Sequence, residues 1–380
     1  MKTRNIGIFA HADAGKTTIT EYLLHRCGAV QQRGSVDEGT AHTDTLAVER
    51  RRGISVRACA ASFIHGDSNI TLVDTPGHAD FAAEVERAIW AIDGAVLVVS
   101  AVEGVQAQTE LYFNALRKAG IPVLFFINKL DRVGADRDAA LESLRRDLGA
   151  PAVPLWDETA FVEAACEADD ALLEAYLSGQ TPPRPLLEAS LRRRVLALEA
   201  FPALCGSALK GQGLDQLLEA VELYLPEPAG DPSAPLCARV FALAFDKAMG
   251  RAAYVRLYSG ALENRDPLGP DKVSQIRRLR GVKAVDCGRL QAGEIGIVYG
   301  LEGVRAGDLL GDGSLLPPGR EAAGLAQPLL SAKAEPEDPS QLRSLKAALE
   351  ELSCMDPQLK ASWSPFTHEL FVHLMGGIQT

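Results

Sequence analysis

Eight residues near the N-terminus set the tightest limit on what this chain can fold into. Ala10-His-Ala-Asp-Ala-Gly-Lys-Thr17 lies between a short apolar stretch, Asn5 to Ala10, and Lys16 to Arg26, whose apolar residues recur at helical spacing. A strand that turns through glycine into a helix presents backbone N–H groups at the helix start, where negative charge is favoured. Ala10 stands where such phosphate cradles usually carry a first glycine. The N–H groups of Asp13, Ala14, Gly15, Lys16 and Thr17 are expected to face a phosphate chain. Lys16 would neutralise its β- and γ-phosphates, and the Thr17 hydroxyl would ligate Mg2+. Alone, Gly15-Lys16-Thr17 could still be an ordinary helix start, so the rest of the chain must decide.

The first half alternates strand-like and helix-like stretches. Arg57 to His65 and Ile70 to Asp74 read as paired strands. Ala95 to Ser100 and Ile121 to Ile127 are unbroken apolar runs between turn residues, as strands covered on both faces require. Helical patterns occupy Thr109 to Ala119 and Ala135 to Leu148, which predicts a doubly wound α/β domain. Residues 151–200 carry no strand pattern and read as helix and loop, broken at Pro182, Pro183 and Pro185. A strand at Pro202 to Cys205 and a helix at Gly213 to Leu225 complete this half.

Three further motifs fall at the ends of these strands. Asp74-Thr75-Pro76-Gly77-His78 follows the run Ile70 to Val73. Asp74 would hold Mg2+ through water, and the Gly77 N–H would sense the γ-phosphate because glycine lets backbone approach closely. His78 would sit beside the attacking water. Asn128-Lys129-Leu130-Asp131 ends the next buried strand. The Asp131 carboxylate can accept from guanine N1–H and the 2-amino group, a donor pair that adenine lacks. Asn128 would brace the loop and the Lys129 stem would cover the base. Gly206-Ser207-Ala208-Leu209-Lys210 follows the last strand and would offer the Ala208 N–H to guanine O6.

Pro226, Pro228, Pro232 and Pro235 cannot continue a helix or a central strand, so they mark a linker. Beyond it, Ala238 to Ala244, Ala252 to Leu257, Lys272 to Leu279 and Gly296 to Tyr299 are short strand patterns without a long helix, which predicts a small β-barrel. Pro317 and Pro318 mark another boundary. Leu329 to Ala334 reads as a strand, followed by a helix with Asp338 as N-cap and Pro339 at its first position. Leu342, Leu345, Leu349 and Leu352 share one helical face, Asp356-Pro357 ends the helix, and Glu369 to Met375 reads as a strand.

In this order, the phosphate loop (P-loop), DTPGH, NKxD and a GSA-type loop resemble those of the translational GTPases. Arg52-Gly-Ile-Ser55 is similar to their RGIT motif, with Ser55 in place of the usual threonine. Ser35 to Thr40, Thr43 to Thr45 and Glu49-Arg50 narrow the resemblance to the ribosomal-protection tetracycline-resistance proteins, relatives of elongation factor G. Val255 to Gly260, Pro328 to Leu330 and Glu335-Pro336 extend it. The resemblance implies a nucleotide site of Ala10, His11, Ala12, Asp13, Ala14, Gly15, Lys16, Thr17, Thr18, Asp74, Thr75, Pro76, Gly77, Asn128, Lys129, Asp131, Ser207, Ala208 and Leu209. His78 would be catalytic, and Thr17, Ser55 and Asp74 would hold Mg2+.

An α/β P-loop GTPase domain is thus expected over 1–228, with a helical insert at about 150–200. A β-barrel follows at 235–327 and an incomplete α+β domain at 328–380. The family's two C-terminal domains are missing from this reading, so the chain is expected to be C-terminally truncated. The implied function is GTP hydrolysis on the ribosome, with contacts to ribosomal RNA and proteins of both subunits, by a cytoplasmic monomer. The alternatives are a truncated GTP-binding module without protective activity and a general elongation factor G-like translocation factor.

Composition removes other classes. With 39 Lys and Arg against 50 Asp and Glu, the net charge of −11 argues against a globally basic DNA binder. The longest apolar run, Gly94 to Val102, is far short of the ~20 residues that span a bilayer. The seven cysteines are dispersed and odd in number, which predicts neither a disulfide framework nor a zinc site. Two basic features remain: Glu49 to Gly53, and the cluster of Arg277, Arg278, Arg280 and Lys283. Each is either a solvated face or a ribosomal RNA contact. His368 and His373 would fall on opposite faces of a strand and are assigned no metal.

Overall fold

The computed structural model describes residues 2–34, 59–76, 82–246, 248–321, 328, 330–336, 338–364 and 369–376. Ser55, Gly77, His78, Glu49 to Gly53 and His368 lie outside them.

The first unit is a seven-stranded sheet flanked by helices. In chain order its elements are β1 (Lys2–Ala10), α1 (Lys16–Arg26), β2 (Cys59–His65), β3 (Ser68–Asp74), α2 (Ala82–Ala91), β4 (Gly94–Ser100), α3 (Ala107–Lys118), β5 (Val123–Asn128) and α4 (Arg137–Leu148). They continue as β6 (Ala152–Pro154), α5 (Glu158–Cys166), α6 (Asp170–Leu177), α7 (Arg184–Leu196), β7 (Phe201–Cys205) and α8 (Leu214–Tyr224). The strand order is β2-β3-β1-β4-β5-β7-β6, parallel except for β2, which pairs antiparallel with β3 at the edge. The apolar runs are explained by their position: every residue of β4 and β5 is buried. Leu23, Phe161, Leu191 and Leu217 pack on one face of the sheet, and Val85, Phe113, Leu116 and Leu144 on the other. Asp136 caps α4 by accepting from Asp138 and Ala139 N–H, and Gly149 ends it in the left-handed region at φ 57°.

The insert differs from its sequence reading in one respect. Ala152–Pro154 forms β6, a three-residue strand parallel to β7. Three residues are too few to show a period-two pattern.

The β-rich unit contains β8 (Cys237–Asp246), β9 (Gly250–Ser259), β10 (Ala261–Glu263), β11 (Pro267–Leu268), β12 (Asp271–Lys272), β13 (Gln275–Arg280), β14 (Lys283–Asp286), β15 (Arg289–Gln291), β16 (Ile295–Tyr299) and β17 (Leu309–Gly311). A six-stranded antiparallel sheet, β14-β13-β16-β9-β8-β17, and two two-stranded ribbons surround a core that includes Val240, Val255, Leu257 and Val298. The expected single strand Lys272 to Leu279 is split, because Asp271–Lys272 pairs in a ribbon and Gln275–Arg280 in the main sheet.

This unit is joined closely to the first. Arg256, 1% exposed, donates to both Asp93 carboxylate oxygens at 2.8 and 3.0 Å, and Asn5 donates to Asp93 and to Gly293 O. Ser62 on β2 donates from its N–H to Gly281 O and from its hydroxyl to Leu279 O. The C-terminal end of α2 is also held: Arg320 donates to Ile89 O at 2.7 Å and the Tyr258 hydroxyl to Trp90 O at 2.6 Å.

The last described unit holds β18 (Leu330–Ala334), α9 (Leu342–Met355), β19 (Ser362–Ser364) and β20 (Glu369–Leu374), with sheet order β18-β20-β19. Asp338 caps a 3-10 turn, Pro339–Gln341, rather than the α-helix itself. Of the expected apolar face, Leu349 is buried and Leu342 and Leu345 pack beside it, whereas Leu352 is 43% exposed. Arg87 of α2 reaches this unit at Asp356 Oδ1, 3.3 Å away.

Candidate functional site

The loops after β1, β3, β4, β5 and β7 lie at the carboxyl ends of their strands, the edge where open parallel sheets take ligands. The turn between β1 and α1 uses left-handed backbone at Asp13, φ 61°, and Gly15, φ 95°. At Gly15 a Cβ would come within 2.3 Å of Asn128 Nδ2, so both the conformation and the space require glycine. Lys16, buried at the first position of α1, is paired with the buried carboxylate of Asp74 at the end of β3. Thr17 and Thr18 follow in the first turn of α1, and the Thr75 hydroxyl donates to Ile8 O at 2.8 Å, tying the loop after β3 to β1.

Asn128 joins three loops. Its Nδ2 donates to Ala14 O at 2.8 Å and its Oδ1 accepts from Ala208 N–H at 2.8 Å. The Ala208 N–H, the group expected to face guanine O6, is buried and donates to Asn128 in this structure. Asp131 Oδ1 accepts from the Ser207 hydroxyl at 2.5 Å, and that bond holds the Asp131 carboxyl below the usual carboxylate range. Lys129 sits in the left-handed region at φ 68°. The structure thus brings Ala14, Gly15, Lys16, Asp74, Asn128, Asp131, Ser207 and Ala208 to one edge, whereas Ser55, Gly77 and His78 lie outside the described residues.

Several residues here have no motif to announce them. Arg33 donates to Ala208 O at 3.0 Å and Leu209 O at 3.1 Å, and its guanidinium lies over the Tyr22 ring. Behind the phosphate loop, buried His11 contacts Thr109 Oγ1 at 3.1 Å and Glu103 Oε2 at 3.3 Å, and Ala12 N–H donates to Gln108 Oε1 at 3.2 Å. Burial holds the His11 pKa below its ordinary value despite the opposing pull of Glu103. Burial pushes the Glu103 carboxyl up, but the hydrogen bond from His11 and the charge of Lys129 outweigh it and leave it lowered. The hydrogen bonds of Arg33, His11 and Ala12 span 92 to 176 residues of sequence, and no local pattern reports them.

A divalent cation of the Mg2+ type suits the oxygen donors present. The buried Asp74 carboxylate already attracts a cation, the Lys16 ammonium, and the Thr17 hydroxyl lies one residue beyond Lys16. No cluster of three or more His, Cys, Asp or Glu able to cage a metal occurs among the described residues. Mg2+ commonly takes one or two protein ligands and completes its shell with water and substrate phosphates. No helix among the described residues is long and apolar enough to cross a membrane.

Residues 1–227 match the sequence model of the family described as the elongation factor Tu GTP binding domain. The chain is 39% identical over 398 residues to tetracycline resistance protein TetW of Butyrivibrio fibrisolvens, covering 100% of itself and 62% of that protein. It is 38% identical over 397 residues to tetracycline resistance protein TetM of Staphylococcus aureus (strain Mu50), with the same two coverages. The chain thus spans about 62% of the length of the curated relatives it matches. A crystal structure from Thermus thermophilus superposes with a TM-score of 0.87 at 28% identity, covering 99% of this chain and 64% of that one.

Proposed function

Because the chain belongs to the family described as the elongation factor Tu GTP binding domain, we propose that it binds GTP and hydrolyses it to GDP and phosphate on the ribosome, as a relative of the tetracycline resistance proteins. The observation that carries this reading is the carboxylate of Asp131, ionised and steered by Ser207 beside a loop that Asn128 ties to the phosphate cradle. That arrangement offers acceptors to the N1–H and 2-amino edge of guanine.

Binding would begin with an exchange of partners. Lys16 and Asp74 form a buried ion pair. A phosphate chain carries more negative charge than one carboxylate, so it would draw the ammonium of Lys16 away from Asp74. Mg2+, when bound, would neutralise charge on the transferred phosphoryl group. Thr17 and Ser55 would ligate it and Asp74 would act through water. His78 would orient the attacking water, and ribosomal contact would place His78. Phosphoryl transfer of this kind depends mainly on positioning and electrostatics, and no arginine finger is evident in the sequence, so turnover away from the ribosome would be slow.

The same proposal assigns three units, 1–228 with a helical insert at about 150–200, 235–327 and 328–380, in a cytoplasmic monomer that meets ribosomal RNA and proteins of both subunits. The alternative reading is a GTP-binding module that completes no drug-protecting cycle. A ribosome-stimulated GTPase assay with nucleotide competition separates these. Stimulated turnover of GTP, displaced by GDP but not by ATP, supports the main reading. Binding without stimulated turnover selects the second, and equal competition by ATP overturns both.

A further inference from the structure

One carboxylate joins the two halves of the site. Glu103 lies in the turn after β4, and its Oε2 stands 3.3 Å from His11 Nε2 of the phosphate loop and 3.7 Å from Lys129 Nζ of the base loop. Thr109 Oγ1 accepts from Gln106 N–H at 3.2 Å and lies 3.1 Å from His11 Nδ1. A carboxylate can only accept, so His11 presents its Nε2–H to Glu103. Burial disfavours the imidazolium form of His11.

We propose that Glu103 is a positioning residue of the nucleotide site, which registers the phosphate loop against the base loop by holding His11 and Lys129 on one oxygen. The proposal rests on the reading of this edge as a GTP site. The Lys129 stem is the group expected to cover the base, and Glu103 draws its head group toward the phosphate cradle. Lys129 holds this place at a positive φ, a conformation costly for a residue with a side chain. A site whose halves are already in register loses less freedom when the nucleotide bridges them.

The test is the dissociation rate of fluorescently labelled GDP and GTP from the full chain carrying Glu103→Ala, Glu103→Gln or Lys129→Met, and from the Glu103→Ala/Lys129→Met double variant. Glu103 is 45% exposed, so a moderate effect is expected. Glu103→Ala should release both nucleotides roughly two- to fivefold faster, to the same extent, because the γ-phosphate is not involved. Glu103→Gln keeps an acceptor for His11 and should fall between. The double variant should be less than additive. The nucleotide-free melting temperature should stay within about 2 °C of the unsubstituted chain, which a merely structural role would not predict. Unchanged release from Glu103→Ala, or strict additivity, overturns the proposal while leaving GTP binding intact. Failure of the unsubstituted chain to bind labelled GDP overturns both.

Discussion

The Asn128 side-chain nitrogen stands 2.8 Å from the carbonyl oxygen of Ala14, while the oxygen of the same amide takes the N–H of Ala208 at 2.8 Å. One amide therefore sets the separation between the phosphate loop and the loop after β7. Ala14, Asn128 and Ala208 are all buried, so water cannot replace either bond.

Asn128→Ala should orphan both backbone groups. Each buried unsatisfied group costs about 1–3 kcal/mol. Equilibrium unfolding should show that loss, and labelled-GDP titration should show affinity reduced roughly 10- to 100-fold. Native values in both measurements would mean that the loops hold their spacing by other means.

Asp131→Asn replaces two charge-assisted acceptors with an amide that presents a donor to a donor edge. Charge-assisted bonds contribute roughly 1.5–3 kcal/mol each, so GTP affinity should fall by ~100-fold or more and preference should move toward xanthine nucleotides. A titration with unchanged GTP affinity would remove the guanine assignment.

The pH dependence of binding should follow the same carboxylate. The Ser207 hydroxyl holds Asp131 below the usual carboxylate range, so the ionised form is present above that lowered value and is lost as pH falls through it. Ser207→Ala removes the leading cause of the shift. The acid limb of GDP binding should then move to higher pH, with little change near neutrality. An acid limb at its original position would place the titrating group elsewhere.

His78→Ala should leave GDP and GTP affinity nearly intact while removing most of the ribosome-stimulated rate. A group that acts only in the transition state affects turnover and not ground-state binding. Stimulated single-turnover kinetics at the unsubstituted rate would make His78 a structural residue.

The unit that follows Pro328 should be the least protected against hydrogen exchange. Among the described residues its core contains four buried side chains, Leu349, Leu370, Val372 and Leu374, against far larger clusters beneath the main sheet. Few buried apolar contacts mean low local opening energies. Exchange in α9 and β20 is expected to be faster than in β4 and β5; equal protection would overturn that ranking.

Much of the architecture was legible in the sequence because its elements advertise themselves. β4 and β5 are buried on both faces and so read as unbroken apolar runs, and α1 begins at the residue where its periodicity starts. The motif loops were placed because each follows such a run. What escaped was short or distant. β6, β10 and β19 span three residues each, too few for a period, and the Ser62 bridge to Gly281 links elements far apart in the chain. Glu103, Arg33 and Thr109 act through contacts that only the fold creates. The Ala208 N–H to Asn128 bond was likewise invisible, since a motif names residues and not the hydrogen bonds among them.

Helix α2 is gripped in its C-terminal half by neighbours that belong to other parts of the chain: Asp356 at Arg87, Arg320 at Ile89 and Tyr258 at Trp90. In mechanical terms it is a rod with a fulcrum at its C-terminal end and a load point one turn earlier. Coupling between binding sites is reciprocal. By that reciprocity, if nucleotide occupancy shifts Asp356 through this rod, a pull on the last unit should register as a change in nucleotide affinity.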